Sequence, residues 1–182
     1  MRKYVALLRG INVGGNNLIK MTELKACLEA QGFRDVATYI QSGNVLFDAS
    51  QSNKAKLTRE IERVLAATFN YQASVVLRSK KEMREIVERA PRGFGTQAAK
   101  YRYDVIFLKD PLTAAAAMKS VLVKQGVDEA HAGKGALYFS RLISKASSSY
   151  LSRLAAQPIY KSMTVRNWNT TTKLLTLMES RE

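Results

Sequence analysis

Two clusters of residues have the types and spacing to do chemistry, and both point toward anions. The first is Arg9-Gly10-Ile11-Asn12-Val13-Gly14-Gly15-Asn16-Asn17, with Lys20 close behind. A glycine-rich turn between a strand and a helix offers backbone N–H groups beside a helix N-terminus, where donors and dipole together favour a phosphate or carboxylate. Arg9 and Lys20 bracket the turn with charge, and Asn12, Asn16 and Asn17 add amide donors. The spacing fits neither G-x-G-x-x-G nor G-x-x-x-x-G-K-[ST], so no nucleotide motif is matched. The same glycines equally suit a plain tight connection that needs positive φ.

The second cluster is Arg166-Asn167-Trp168-Asn169-Thr170. Arginine can hold an anion bidentately, tryptophan offers a stacking face, and the Asn/Thr run opens a helix. A structural reading competes, with Asn169 or Thr170 as an N-cap and Trp168 anchoring the last helix in the core.

Conventional catalysis has little to work with. His131 is the single imidazole and sits in an alternating strand, where a hydrogen-bonded structural role is expected. Cys27 falls on an apolar helical stripe and reads as an inert core thiol. Ser147-Ser148-Ser149 is helix-cap chemistry, and Asp48, Asp104 and Asp110 are scattered without the spacing of a metal site or acid/base pair. No catalytic residue is assigned, and no metal or cofactor is expected. An enzyme built on this chain would rely on Arg, Lys, Asn and backbone groups.

Charge gives these clusters their context. The 182 residues carry 29 Lys+Arg against 15 Asp+Glu, a formal charge of +14. A hydrophobic fraction of 46% excludes wholesale disorder. One cysteine excludes an internal disulfide, and one cysteine with one histidine excludes a zinc site of those ligands. The charge is spread over residues 1–78 (+5), 79–100 (+3) and 101–182 (+6), so no basic tail accounts for it. From Ala130 to Met178 it has a single sign: Lys134, Arg141, Lys145, Arg153, Lys161, Arg166 and Lys173, with no acid. Residues 1–22 hold Arg2, Lys3, Arg9 and Lys20, again without an acid. A single-sign field steers anionic partners. The first expectation is a nucleic-acid-binding module, DNA or RNA undistinguished, using those seven cations and Trp168. The alternative is an enzyme or sensor for a small phosphate- or carboxylate-bearing ligand.

The elements that position these residues repeat. Lys3 to Leu8 reads as a strand and Thr22 as the cap of a helix with Leu24, Cys27 and Leu28 inward and Gly32 as its stop. Val36–Ile40 and Val45–Phe47 flank a Ser42-Gly43-Asn44 hairpin. A helix with Leu57, Ile61, Val64, Leu65 and Phe69 inward follows, then a strand at 73–77. Ser79-Lys80-Lys81-Glu82 has capping-box spacing and opens a short helix, and Pro91 to Thr96 reads as a connector. The order then returns: a strand at 101–108, a helix over 112–124 started by Asp110 and Pro111, and a hairpin at Gly133-Lys134-Gly135. A helix capped by Ser147 or Ser148, a strand at 163–165 and a final helix complete it. The pattern predicts an α+β protein of two ferredoxin-like (βαββαβ) halves. Antiparallel sheets carry helices on one face, and a C-terminal helix is added. The halves are 1–78 and 101–182, joined by 79–100.

That topology makes a spatial prediction. Right-handed β-α-β crossovers bring the end of the first strand and the tip of the hairpin to one sheet edge. Arg9, Gly10, Asn12, Gly14, Gly15 and Lys20 should therefore neighbour Gln41, Ser42 and Asn44, which together form the small-anion candidate. A further echo lies in Lys134-Gly135-Ala136-Leu137-Tyr138-Phe139, which partly matches the basic-Gly-aromatic strand of RNA-recognition motifs, as Asn44 to Phe47 does less well. Hairpin strands commonly carry Tyr and Phe for packing alone.

Arg9-Gly-Ile-Asn-Val-Gly-Gly15, Lys20-Met21, Thr38-Tyr-Ile-Gln-Ser-Gly-Asn44 with Val45 and Phe47, and Thr164-Val-Arg-Asn-Trp-Asn-Thr170 together resemble the bacterial proteins grouped as domain of unknown function 1697. The resemblance implies a cytosolic bacterial protein with paired α/β-plait subdomains and carries no activity with it. Tyr4 to Leu8 is too short for a secretory signal, and no run approaches the ~20 apolar residues of a membrane span. The Asn169-Thr170-Thr171 sequon then reads as a chance match, and a cytoplasmic location without membrane contact is expected.

Overall fold

The short aliphatic run near the N-terminus forms β1 (Arg2–Leu8), central in a four-stranded sheet because it is apolar on both faces. A computed structural model describes residues 1–12 and 18–181; Val13, Gly14, Gly15, Asn16, Asn17 and Glu182 lie outside the described residues. After β1 come α1 (Met21–Ala30), β2 (Arg34–Tyr39), β3 (Asn44–Ala49), α2 (Lys54–Phe69) and β4 (Val75–Ser79). The sheet order is β2-β3-β1-β4, and hydrogen-bonded neighbours run antiparallel. One sheet face (Tyr4, Ala6, Leu8, Val45, Phe47, Val75, Leu77) packs on Leu24 and Leu28 of α1 and Leu57, Ile61 and Leu65 of α2. This is the βαββαβ arrangement that the alternating strands and 3.6-period helices call for.

The second sheet repeats it. After α3 (Lys80–Glu88) come β5 (Tyr101–Leu108), α4 (Ala114–Met118), β6 (Asp128–Ala132), β7 (Ala136–Leu142), α5 (Leu151–Ala155), β8 (Met163–Asn167) and α6 (Trp168–Ser180). Short 3-10 turns occupy Ile143–Ser148 and Pro158–Ser162. The order β6-β7-β5-β8 matches the first sheet strand for strand. Ile106, Leu108, Leu137, Phe139 and Met163 pack on Ala117 of α4 and Leu154 of α5. The fold is α+β with two antiparallel ferredoxin-like sheets and a C-terminal helix. One compact unit comprises Met1–Met83 with Leu174–Glu182; Arg84–Lys173 form the other.

Several helix starts differ from expectation. Asp110 and Pro111 do not begin α4. Their peptide bond is cis, and Thr113 caps instead, accepting from the Ala116 N–H at 3.2 Å. The helix ends at Met118 rather than running to 124, since Ser120, Val121 and Val123 are weak helix formers and Gly126 turns the chain at φ +71°. Neither Ser147 nor Ser148 caps α5; its N-cap residue is Tyr150, which gives no side-chain cap, while Ser149 Oγ accepts from the Leu151 N–H at 3.2 Å. Asn167, not Asn169 or Thr170, caps α6, accepting from the Thr170 N–H at 2.7 Å. At α1, Lys20 is the N-cap residue, not Thr22, and no side chain caps there. The capping box at α3 forms as expected: Ser79 N–H and Oγ donate to Glu82 Oε2 at 2.8 and 2.9 Å, and Ser79 Oγ accepts from the Glu82 N–H at 3.3 Å.

Candidate functional site

The edge adjacency deduced from topology is present. Leu8 N–H donates to the Gly43 carbonyl at 2.8 Å, and Asn12 Nδ2 donates to the Gln41 carbonyl at 2.9 Å. Asn12 also closes its own loop, donating to the Ile19 carbonyl at 3.0 Å and accepting the Ile19 N–H at 2.8 Å. Asn44 is buried and donates to the Tyr39 carbonyl at 2.9 Å and to Ser42 Oγ at 3.1 Å. The amides of Asn12 and Asn44 are thus spent on architecture. Tyr71 donates its hydroxyl to the Arg9 carbonyl, and burial raises the Tyr71 pKa above its ordinary value. Lys20 is exposed and pairs with Glu23 at 3.6 Å, while Gln41 and Gly10 are exposed. Gly14 and Gly15 lie outside the described residues.

The cations of the acid-free stretch divide by environment. Lys145, Arg153, Lys161 and Lys173 are exposed, Arg153 stacking over the Tyr150 ring at 3.7 Å. Lys134 reaches Glu85 at 3.0 Å and Arg141 reaches Asp104 at 3.5 Å. Arg166 is buried, donates to Thr164 Oγ1 at 2.9 Å and the Val165 carbonyl at 2.8 Å, and burial lowers its pKa to about 10. Trp168 packs edge-to-face on Phe94, 5.1 Å between centroids, and its indole lies where a Cβ on Gly95 would stand. Tyr138, Phe139 and Phe47 are buried, so the strands that echo an RNA-recognition motif present no open stacking ring.

One cavity with polar walls, about 570 Å³, belongs to the first unit and opens where β1 begins and β4 hands over to α3. Its walls hold five cations, Arg2, Lys3, Lys54, Lys80 and Lys81, and one carboxylate, Glu82. Glu82 is committed: Oε1 accepts Lys54 Nζ at 2.6 Å while Oε2 serves the α3 cap. Burial works to raise the Glu82 pKa, but the hydrogen bonds from Lys54 and Ser79 outweigh it and hold the carboxyl below its ordinary value. Sequence reading noted Arg2 and Lys3 but not this cavity, because its cations come from three separate segments.

A cavity of about 320 Å³ in the second unit is lined by Arg102, Asp104, Arg141, Asn167, Trp168 and Asn169, among others. Burial pushes the Asp104 carboxyl up against the opposing pull of Arg141 and Arg102. A third, about 220 Å³, shares Tyr101 and Tyr103 with the second and lies where Tyr103, Glu129 and Ser140 sit side by side in register beneath Phe94. His131 lines it half-exposed, Nε2 3.9 Å from Glu129 Oε2. Among the described residues no group of three or more His, Cys, Asp or Glu side chains could hold a metal ion, and no helix is long and apolar enough to cross a membrane.

Comparison with known proteins adds a family and a structural relative. The family model described as "Protein of unknown function (DUF1697)" matches residues 1–138. No curated protein matches. Among solved structures, the chain is similar to the conserved bacterial protein SP0830 from Streptococcus pneumoniae. Sequence identity is 28% and the TM-score 0.86, over 97% of this chain and 98% of that one.

Proposed function

We propose, for a chain that belongs to the DUF1697 family of proteins of unknown function, that this basic protein binds nucleic acid and that its first unit grips the phosphate backbone. The observation that carries the reading is the cavity of Arg2, Lys3, Lys54, Lys80 and Lys81, whose one carboxylate is already held by Lys54 and Ser79. Sequence-independent affinity for nucleic acid comes from cations that neutralise phosphates and release counterions. Five cations around one opening, in a protein of formal charge +14, are suited to that work. The exposed Lys145, Arg153, Lys161 and Lys173 extend the attracting field. The small-anion alternative at Arg9 to Lys20 and Gln41 to Asn44 draws less support, because the Asn12 and Asn44 amides already bond within the loop and hairpin.

The test is fluorescence anisotropy with labelled single-stranded RNA, single-stranded DNA and duplex DNA of ~20 nucleotides, titrated from about 50 to about 200 mM salt. With about four phosphates neutralised in this cavity, the slope of log K against log salt should be near −3 for single strands. The double variant Lys80→Glu/Lys81→Glu, at the start of α3 where acidic residues suit the dipole, should fold normally and flatten that slope by about one or more. Salt-independent binding, no binding at low salt, or an unchanged slope in the double variant would each overturn the proposal. Equal affinity for a mononucleotide and for the longer strands would also overturn it, in favour of a small-anion site.

A further inference from the structure

The second unit's cavity sits at the place in its fold that the cationic cavity occupies in the first. Tyr4 faces Phe47 on one side and Ser79 on the other; Asp104 faces Phe139 and Asn167 in the same way. Each cavity opens beside the helix that follows the unit's last strand, α3 after β4 and α6 after β8. At matching positions Arg2 remains a cation as Arg102, but Lys80 and Lys81 give way to Trp168 and Asn169, and Ala49 to Arg141. The location is kept and the chemistry is changed.

We infer that this second cavity binds a planar nitrogen heterocycle presenting a hydrogen-bond donor beside an acceptor, the edge of a nucleobase. Asp104 is only 8% exposed, and its buried Oδ2 receives no hydrogen bond. The buried Nε of Arg141 makes none either. The two groups stand 3.5 Å apart between Oδ2 and Arg141 Nη2, an ion pair that leaves one acceptor and one donor unused. Buried polar atoms in native proteins find partners, so this pair calls for a group that supplies both functions at once. A phosphate offers only acceptors and is repelled by Asp104; an ammonium offers only donors. The hydrogen-bonding edges of nucleobases carry a donor next to an acceptor, which suits a carboxylate beside a guanidinium. Trp168 contributes an aromatic wall and Asn169 a further amide. This inference does not depend on the phosphate reading of the first unit.

Trp168 is the single tryptophan of the chain, so tryptophan emission reports on this cavity. The full chain is titrated with adenosine, guanosine, cytidine and uridine, which lack the phosphate that the first unit would hold. At least one should change Trp168 emission saturably, and Asp104→Asn, which exchanges an acceptor for a donor of similar shape, should weaken it about tenfold or more. Arg141→Lys, which keeps the charge and removes Nε, should do the same and decides the matter if Asp104→Asn proves unfolded by circular dichroism. The Lys80→Glu/Lys81→Glu variant should bind nucleosides as the parent does, whatever it does to phosphate binding. No saturable change with any of the four, as when a water bridges Asp104 and Arg141, overturns the inference, and so does undiminished binding by a folded variant at either position.

Discussion

Glu82→Gln should move stability and affinity in opposite directions. Its carboxylate accepts Lys54 Nζ at 2.6 Å and the Ser79 N–H and Oγ at 2.8 and 2.9 Å, with the side chain 33% exposed. Glutamine can keep the cap, because a capping box accepts either residue. What is lost is the charge that makes these bonds strong, about 1 kcal/mol after allowance for solvent screening. In a protein of this size that lowers Tm by about 2–4 °C. The pH dependence has a definite sign. Because the Glu82 pKa is held below its ordinary value in the folded chain, its stabilisation is present above the unfolded value near ~4.3 and is lost as pH falls through the folded one. Urea unfolding at neutral pH should therefore show the gap between parent and variant, and the gap should close as pH falls below the ordinary carboxylate range.

The same substitution removes the one negative charge in the cationic cavity. A phosphate ~6 Å away would lose repulsion on the order of 0.3–0.7 kcal/mol, depending on screening, so polyanions should bind about two- to threefold more tightly. Anisotropy with labelled single-stranded RNA reads this directly. A variant that is destabilised and also binds more weakly would refute the electrostatic account of the cavity. A variant with no stability loss at neutral pH would refute the assignment of the lowered Glu82 pKa to Lys54 and Ser79.

Two further substitutions test the scaffold. Gly43→Ala forces a side chain onto φ +75° and sets its Cβ 2.6 Å from Ile11 Cδ1 and 2.9 Å from Leu8 Cβ; it should cost at least ~2 kcal/mol in urea unfolding. Tyr138→Phe leaves the Ile86 carbonyl without the buried phenol that now reaches it at 2.6 Å. It should cost about 1–2 kcal/mol by the same measurement, with no change in the salt slope of nucleic-acid binding.

Much of the fold was legible because it rests on local periodicity. The β1 run and the inward stripe of α2 predict their elements, and the Ser79–Glu82 spacing predicts a cap that forms. The meeting of Leu8 with Gly43 followed from crossover handedness alone. Helix lengths and caps in the second unit were less legible, since Thr113 and Asn167 compete with neighbours of equal capping chemistry and tertiary context chooses among them. The destination of an amide is likewise invisible in sequence: Asn12 looks like a ligand donor until its bonds to Ile19 and Gln41 are seen. The cavities were hidden for a related reason. Lys3, Lys54 and Lys80 lie about 25 or more residues apart, as do Asp104 and Arg141, and only the tertiary fold brings them together.

The topology also treats the two ends of each sheet differently. Where the first strand ends, its connection closes onto the hairpin: Leu8 N–H bonds to the Gly43 carbonyl in one unit and Leu108 N–H to the Gly135 carbonyl in the other. The next residue repeats the pattern, Arg9 N–H to the Ser74 carbonyl and Lys109 N–H to the Ser162 carbonyl. Backbone groups at that end are consumed by neighbouring segments. At the opposite end the first strand is starting and the last strand turns directly into a helix whose cap, Ser79 with Glu82 or Asn167, satisfies itself. Side chains there are free of that closure and can differ without disturbing the ladder, as Lys80 and Lys81 in one unit beside Trp168 and Asn169 at the corresponding place in the other illustrate. The proposed binding sites lie at that end because the topology spends the other on holding the sheet closed.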